Sequence, residues 1–94
     1  PVVAAEALRI GLVHRLFPAA DVVPQARDLA QEIASRAPTA VRYVKEAINK
    51  GMDVTLHQGL RLECDLYMIL QTTQDRVEGI TAFRDKRQPF FRGQ

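Results

Sequence analysis

Few side chains in this sequence could do chemistry, and most stand at spacings that suit structure better than catalysis. Asp75 and Glu78 are three residues apart, near enough to meet on one helix, and a carboxylate pair can run acid and base chemistry. At the start of a helix the ordinary task of such a pair is to offset the macrodipole and cap free N–H groups, and that is the role expected here. Glu63 and Asp65 are two apart and face different ways on a helix. His14 and His57 are distant in sequence, with no cysteine or carboxylate at metal-ligand spacing beside either, so no metal site is expected. Cys64 falls on an apolar stripe and reads as a small core residue. Neither a glycine-rich phosphate loop nor a serine-nucleophile elbow is present. No catalytic constellation is expected within these residues.

The basic end of the chain remains. In "DRVEGITAFRDKRQPFF", residues 75–91, the cations Arg84, Lys86 and Arg87 cluster just ahead of Phe90 and Phe91. One reading is a solvated face whose cations favour a helix C-terminus, with the two phenylalanines pinning the tail to the core. The other is a polyanion site, where a lysine meets phosphate as a point charge and an aromatic covers a base or a pantetheine-like arm. A net charge of +2 and a short basic cluster do not suit nucleic acid.

With 94 residues the chain is one domain at most, and its 47% hydrophobic and 26% charged residues are those of an ordinary globular protein. No apolar run approaches the length of a bilayer crossing. A single cysteine excludes an internal disulfide and fits a reducing, cytoplasmic setting. The opening "PVVAAEALRIG" has neither an initiator methionine nor the layout of a secretory signal. It reads as a piece of something longer.

The elements that must position these residues are predicted to be about five helices and one short strand-like connector, an all-α fold class. "VVAAEALRIG" suits a short helix closed by Gly11 in the left-handed conformation. Residues 12–17, "LVHRLF", form the connector, and Pro18 stops it. A second helix runs from an Asp21 N-cap to about Ala37, with Val22, Ala26, Leu29, Ala30 and Ile33 on one buried stripe. Pro38 breaks the chain and starts a third helix, which reaches about Lys50. Val41, Val44, Ala47 and Ile48 form its inner face, Arg42 and Glu46 pair outside, and Gly51 offers the cap. Thr55 and Gln58 form a capping box for a fourth helix ending near Gln71.

That fourth helix carries two apolar stripes, Leu56, Leu60, Cys64 and Tyr67 on one and Leu62, Leu66 and Ile69 on the other. A helix apolar on two sides must be covered on two sides, so part of it is expected to meet another domain or subunit. A last helix, entered through Thr72 or Thr73 and Asp75, runs to about Arg87 with Val77, Ile80 and Phe83 inward. Gly79 inside it costs roughly 1 kcal/mol relative to alanine and predicts a close backbone approach.

Taken in order, "AAEALRIGLVHRLFP", "LAQEIASRAPTAVRYVKEAIN", "TLHQGLRLECDLY" and "TQDRVEGITAFRDKRQPFF" resemble the C-terminal region of enoyl-CoA hydratases of the crotonase superfamily, over essentially the whole chain. The resemblance implies that residues 1–94 are the C-terminal helical domain, for trimerisation and for capping the CoA site, of an α/β crotonase fold. The N-terminal spiral, with two catalytic glutamates and an oxyanion hole, is then absent from this chain.

The implied whole enzyme is a lyase that adds water to a trans-2-enoyl-CoA, with a coenzyme A thioester as substrate and no tightly bound cofactor. Its sister activities are isomerisation, decarboxylation and thioester hydrolysis. A free-standing helical self-association module is the reading from another class. By motif, Phe83 and Tyr67 take positions of aromatics lining the acyl-CoA site, Tyr67 in place of the usual phenylalanine, and Lys86 takes that of a lysine near the CoA phosphates. The resemblance also implies a homo-oligomer, a trimer or a hexamer, and self-association or swapping in the fragment. Phe90 and Phe91 are expected to be packing anchors, and no membrane or nucleic-acid partner is expected.

Overall fold

Helix-forming signals in the sequence translate into helices in order: α1 Ala4–Arg9, α2 Val22–Ala34, α3 Pro38–Gly51, α4 Leu56–Leu70 and α5 Gln74–Arg84. The computed structural model describes residues 1–94, all-helical and without a strand; residues 12–17 are irregular. The chain divides into two compact units, Pro1–Glu32 and Ile33–Gln94.

In the first unit, α1 closes as the sequence predicts. Gly11 lies at φ 77, its N–H bonds the Leu8 carbonyl at 3.1 Å and the Leu12 N–H bonds the Ala7 carbonyl at 2.9 Å. That pair of bonds is a Schellman motif. The predicted buried stripe of α2 is not buried: the helix has no buried residue, and Val22, Leu29 and Ile33 are exposed. It also ends at Ala34, three residues before the expected end.

In the second unit, Pro38 sits in the first turn of α3 and the preceding Ala37, at φ −57 and ψ 117, is out of the helical region, which a following proline disfavours. Gly51 belongs to α3 and does not cap it; the cap is Met52 in the right-handed region. The ion pair on this helix is Glu46 with Lys50 at 2.6 Å, not Glu46 with Arg42. A glutamate four residues ahead of its cation complements the helix dipole, and the reverse order does not.

Helices α3 and α4 pack on each other. A Cβ at Gly59 would lie 3.5 Å from the Gly51 carbonyl oxygen, so the two glycines mark a close backbone approach. The capping box forms as predicted: Thr55 Oγ1 accepts from the Gln58 N–H at 3.3 Å, and Gln58 Oε1 accepts from the Thr55 N–H at 3.2 Å. On α4, Leu66 is buried and Leu62 and Leu70 are half-buried. The other stripe, Leu56, Leu60 and Tyr67, is exposed along a groove beside α3, and Cys64 is exposed and is not a core residue.

Helix α5 starts from Thr73, whose hydroxyl accepts from the Arg76 N–H at 3.2 Å, and ends at Arg84, short of the predicted Arg87. Its inward face is the reverse of the expected one. Ala82 and Asp75 are buried, while Val77, Ile80 and Phe83 are exposed. Small and polar groups are inward because the chain's own tail lies there, and that tail presents N–H groups.

Candidate functional site: the end of α5 and the tail

Residues 85–94 are held by the two carboxylates of α5. Asp75, only 5% exposed, accepts the Arg92 N–H on Oδ1 and the Gly93 N–H on Oδ2, each at 2.7 Å. Its own N–H bonds the Gln94 carbonyl at 2.9 Å. Glu78 accepts both guanidinium nitrogens of Arg87, Nη1 at 2.6 Å and Nη2 at 2.9 Å, and the Phe90 N–H at 2.8 Å. The bidentate Arg87 guanidinium, and after it the Phe90 N–H, hold the Glu78 carboxyl well below the usual carboxylate range, at about 2.

This replaces the capping role expected of Asp75 and Glu78. Thr73 caps the helix, and the two acids serve the tail. Further along, Thr39 donates from its hydroxyl to the Gly93 carbonyl at 3.3 Å, which ties the tail to the start of α3.

The two phenylalanines part company. The Phe91 ring packs on Gly79, its Cε1 3.5 Å from where a Cβ there would lie, so what approaches Gly79 is a side-chain ring and not the expected backbone, and Phe91 is the packing anchor. Phe90 is exposed, with the Arg92 guanidinium 5.7 Å from its ring centroid.

The end of α5 repeats the Schellman geometry of α1. The Lys86 N–H bonds the Phe83 carbonyl at 3.3 Å and the Arg87 N–H bonds the Ala82 carbonyl at 3.0 Å. Lys86 itself takes the left-handed conformation, φ 53, the only residue other than glycine to do so. For a residue with a Cβ this conformation is strained. Of the clustered cations, Arg84 pairs with Asp85 and Arg87 with Glu78, and the Lys86 ammonium is unpaired. Three residues before it, Phe83 is 87% exposed. The chain thus presents an uncommitted cation and a bare aromatic ring at one helix end.

Tyr67 is elsewhere in the second unit. It lines an apolar groove of about 510 Å³ between α3 and α4 together with Val44, Ile48, Leu60 and Leu66, and it is 61% exposed. A second cleft, about 570 Å³, is lined by Asp75, Glu78, Thr81, Arg87, Phe90 and Arg92. Neither cavity is lined by Phe83 or Lys86. Of the three residues singled out in the sequence, Phe83 and Lys86 share the end of α5, linked by the Lys86 N–H bond to the Phe83 carbonyl, and Tyr67 lies on α4. Nowhere do three or more His, Cys, Asp or Glu side chains gather as metal ligands would, and no helix is long and apolar enough to cross a membrane.

Sequence reasoning missed Asp75, Glu78 and Arg87 as the residues that shape this site. Their partners stand nine to eighteen positions away, beyond any local spacing rule. Gly79 was the one local signal.

The whole chain, residues 1–94, is matched by the model of the family described as enoyl-CoA hydratase/isomerase. A crystal structure of enoyl-CoA hydratase from Bacillus anthracis superposes with a TM-score of 0.94 at 43% identity, covering 97% of this chain and 35% of that one. The (E)-benzylidenesuccinyl-CoA hydratase of Thauera aromatica is 41% identical over 90 residues, 96% of this chain and 35% of the relative. The 2,3-dehydroadipyl-CoA hydratase of Escherichia coli (strain K12) is 38% identical over 92 residues, 98% of this chain and 36% of the relative. The chain thus spans about a third of the length of the relatives it matches.

Proposed function

The chain belongs to the enoyl-CoA hydratase/isomerase family, and from that premise we propose that it is the C-terminal helical part of an enzyme that adds water across the double bond of a trans-2-enoyl-CoA. Hydration is supported by the hydratases named above; isomerisation is the second reading, since the family's description carries both activities. In this reading the chemistry lies outside residues 1–94. One glutamate takes a proton from water as the oxygen attacks the β-carbon, backbone N–H groups hold the enolate oxygen of the thioester, and a second glutamate protonates the α-carbon. These 94 residues are inactive alone and supply assembly and one rim of the acyl-CoA site.

The observation that carries the rim assignment is the unpaired, strained Lys86 beside the exposed Phe83. A phosphate needs a cation that is not already neutralised, and an adenine or pantetheine arm gains from an uncovered ring. The same reading gives Tyr67 a contact at the acyl end, in keeping with the apolar groove around it. It gives the outward stripes of α4 and α5 to the rest of the enzyme and to neighbouring subunits of a trimer or hexamer. A cytoplasmic setting belongs to the proposal.

The test uses the full-length chain. Loss of the enoyl-thioester absorbance of crotonyl-CoA measures hydration, and titration with CoA measures binding. Lys86→Ala is expected to weaken CoA binding about tenfold and to flatten its salt dependence. A full-length protein that neither hydrates crotonyl-CoA nor binds CoA would overturn the reading.

A further inference from the structure

The cation that faces solvent is not held by the residue that carries it. Lys86 is fixed between two neighbours: the Asp85 N–H bonds the Thr81 carbonyl at 2.9 Å, and the Arg87 N–H bonds the Ala82 carbonyl at 3.0 Å. The helix side of this arrangement is firm, since Ala82 is 1% exposed. The far side depends on Arg87, whose guanidinium is bound in both arms by Glu78. The same Glu78 Oε1 also accepts the Phe90 N–H, so one carboxylate closes the segment Arg87 to Phe90, with Pro89 inside it.

We propose that Glu78 is a positioning residue for ligand binding: through Arg87 it holds the turn at Lys86 in its left-handed form and so sets the direction in which the lysine leaves the chain toward the phosphates of a CoA ligand. The inference rests on the reading of Lys86 as a CoA contact. A left-handed lysine is strained and relaxes unless both flanks hold it. Once it relaxes, the Cα–Cβ bond swings away from its set direction and the ordering must be recovered from the binding energy.

Positioning and simple electrostatics predict opposite signs. Glu78 is an anion near a proposed polyanion site, so on charge alone its neutralisation would tighten CoA binding. If Glu78 acts through Lys86, neutralisation weakens binding instead.

The experiment is a double-mutant cycle on the full-length chain, with free CoA as the probe and Kd as the readout. Glu78→Gln is expected to weaken binding about three- to tenfold, the range for losing the order of a long side chain. Lys86→Ala is expected to weaken it about tenfold, and the double variant is expected to be no weaker than Lys86→Ala alone. Glu78→Gln binding as well as or better than the parent, or additive losses in the double variant, would overturn the inference while leaving Lys86 in its role. Lys86→Ala binding CoA as the parent does would overturn the reading of Lys86, and with it the inference. Should Glu78→Gln lack a cooperative unfolding transition, Arg87→Lys, which keeps the charge and loses the fork, takes its place in the same cycle with the same criteria.

Discussion

Lys86 stands at the end of α5 where Gly11 stands at the end of α1. Each is the left-handed residue of a Schellman motif, at φ 53 and φ 77. Each bonds the carbonyl three positions back, and each is followed by a residue that bonds the carbonyl five positions back. The chain therefore contains, in its own first helix, the low-strain solution to the geometry it builds with lysine in its last. Placing a Cβ and a long charged side chain where glycine fits better is a local departure from stability, of the sort found where a side chain has a task.

Replacing Lys86 by glycine should accordingly stabilise the chain. Relief of the left-handed Cβ contact is worth about 1–2 kcal/mol, and the added freedom of the unfolded chain takes back roughly 0.5–1 kcal/mol. A net gain of about 0.5–1 kcal/mol in urea unfolding is expected, together with weaker CoA binding by the full-length protein. A Lys86→Gly chain that is less stable than the parent would mean that the lysine contributes packing the structure does not contain.

Acid should release the Glu78 clip late. The carboxyl is held at about 2 against its ordinary 4.5, and a group with a lower pKa folded than unfolded contributes stability above the unfolded value and loses it as pH falls through the folded one. The clip is thus at full strength above about pH 4.5 and gone below about pH 2. The melting temperatures of the parent and Glu78→Gln should differ most near neutral pH and converge across that window. A difference that stays constant down to pH 2 would show that the charge of Glu78 is not what holds Arg87.

Asp75 is the second fastening. Its two carboxylate bonds to the Arg92 and Gly93 N–H groups are charge-assisted and part-buried. Asp75→Ala should cost roughly 2–3 kcal/mol and speed hydrogen exchange at those two amides, leaving the Phe90 amide, which Glu78 holds, protected. Equal loss of protection at all three would mean that the tail detaches as one piece.

What could be read from the sequence is what depends on neighbours in sequence. Pro38 at the start of α3, the Thr55 and Gln58 box, and Gly11 are local signals, and each appears in the structure where its chemistry requires. Lys86 had no such signal, because nothing in its type suggests a left-handed residue. Asp75 and Glu78 were assigned to the nearest unsatisfied N–H groups, those of their own helix, while the groups they bind belong to a tail up to eighteen residues on. The spacing of Val77, Ile80 and Phe83 shows that they share a face, but not which way it points, because periodicity tells which residues share a face and not what covers it.

Helix α4 should be sensitive at its first residue. Thr55 Oγ1 and Gln58 Oε1 each accept the other residue's backbone N–H, so Thr55→Ala removes a cap worth about 1 kcal/mol. Thermal unfolding should show the loss, and Thr55→Ser should restore most of it. No effect of Thr55→Ala would mean that packing on α3 alone holds the start of the helix.

The outward stripe of α5 gives the last prediction, on assembly. Val77, Ile80 and Phe83 are exposed on a helix whose inward face is already filled by Ala82, Asp75 and the tail. Ile80 is exposed and lines neither cleft, and substitutions at exposed sites of this kind usually change stability by no more than about 0.5 kcal/mol. The isolated 94-residue chain, with such stripes uncovered, should associate as its concentration rises. Ile80→Asp should then keep the helical circular dichroism of the parent and reduce that association, as read by sedimentation velocity. If the parent sediments as a monomer at all concentrations, the stripe of α5 does not pair between copies, and its cover has to come from the rest of a longer chain. If Ile80→Asp loses helix instead, the stripe is part of the unit's own packing and the outward placement of Val77, Ile80 and Phe83 is wrong.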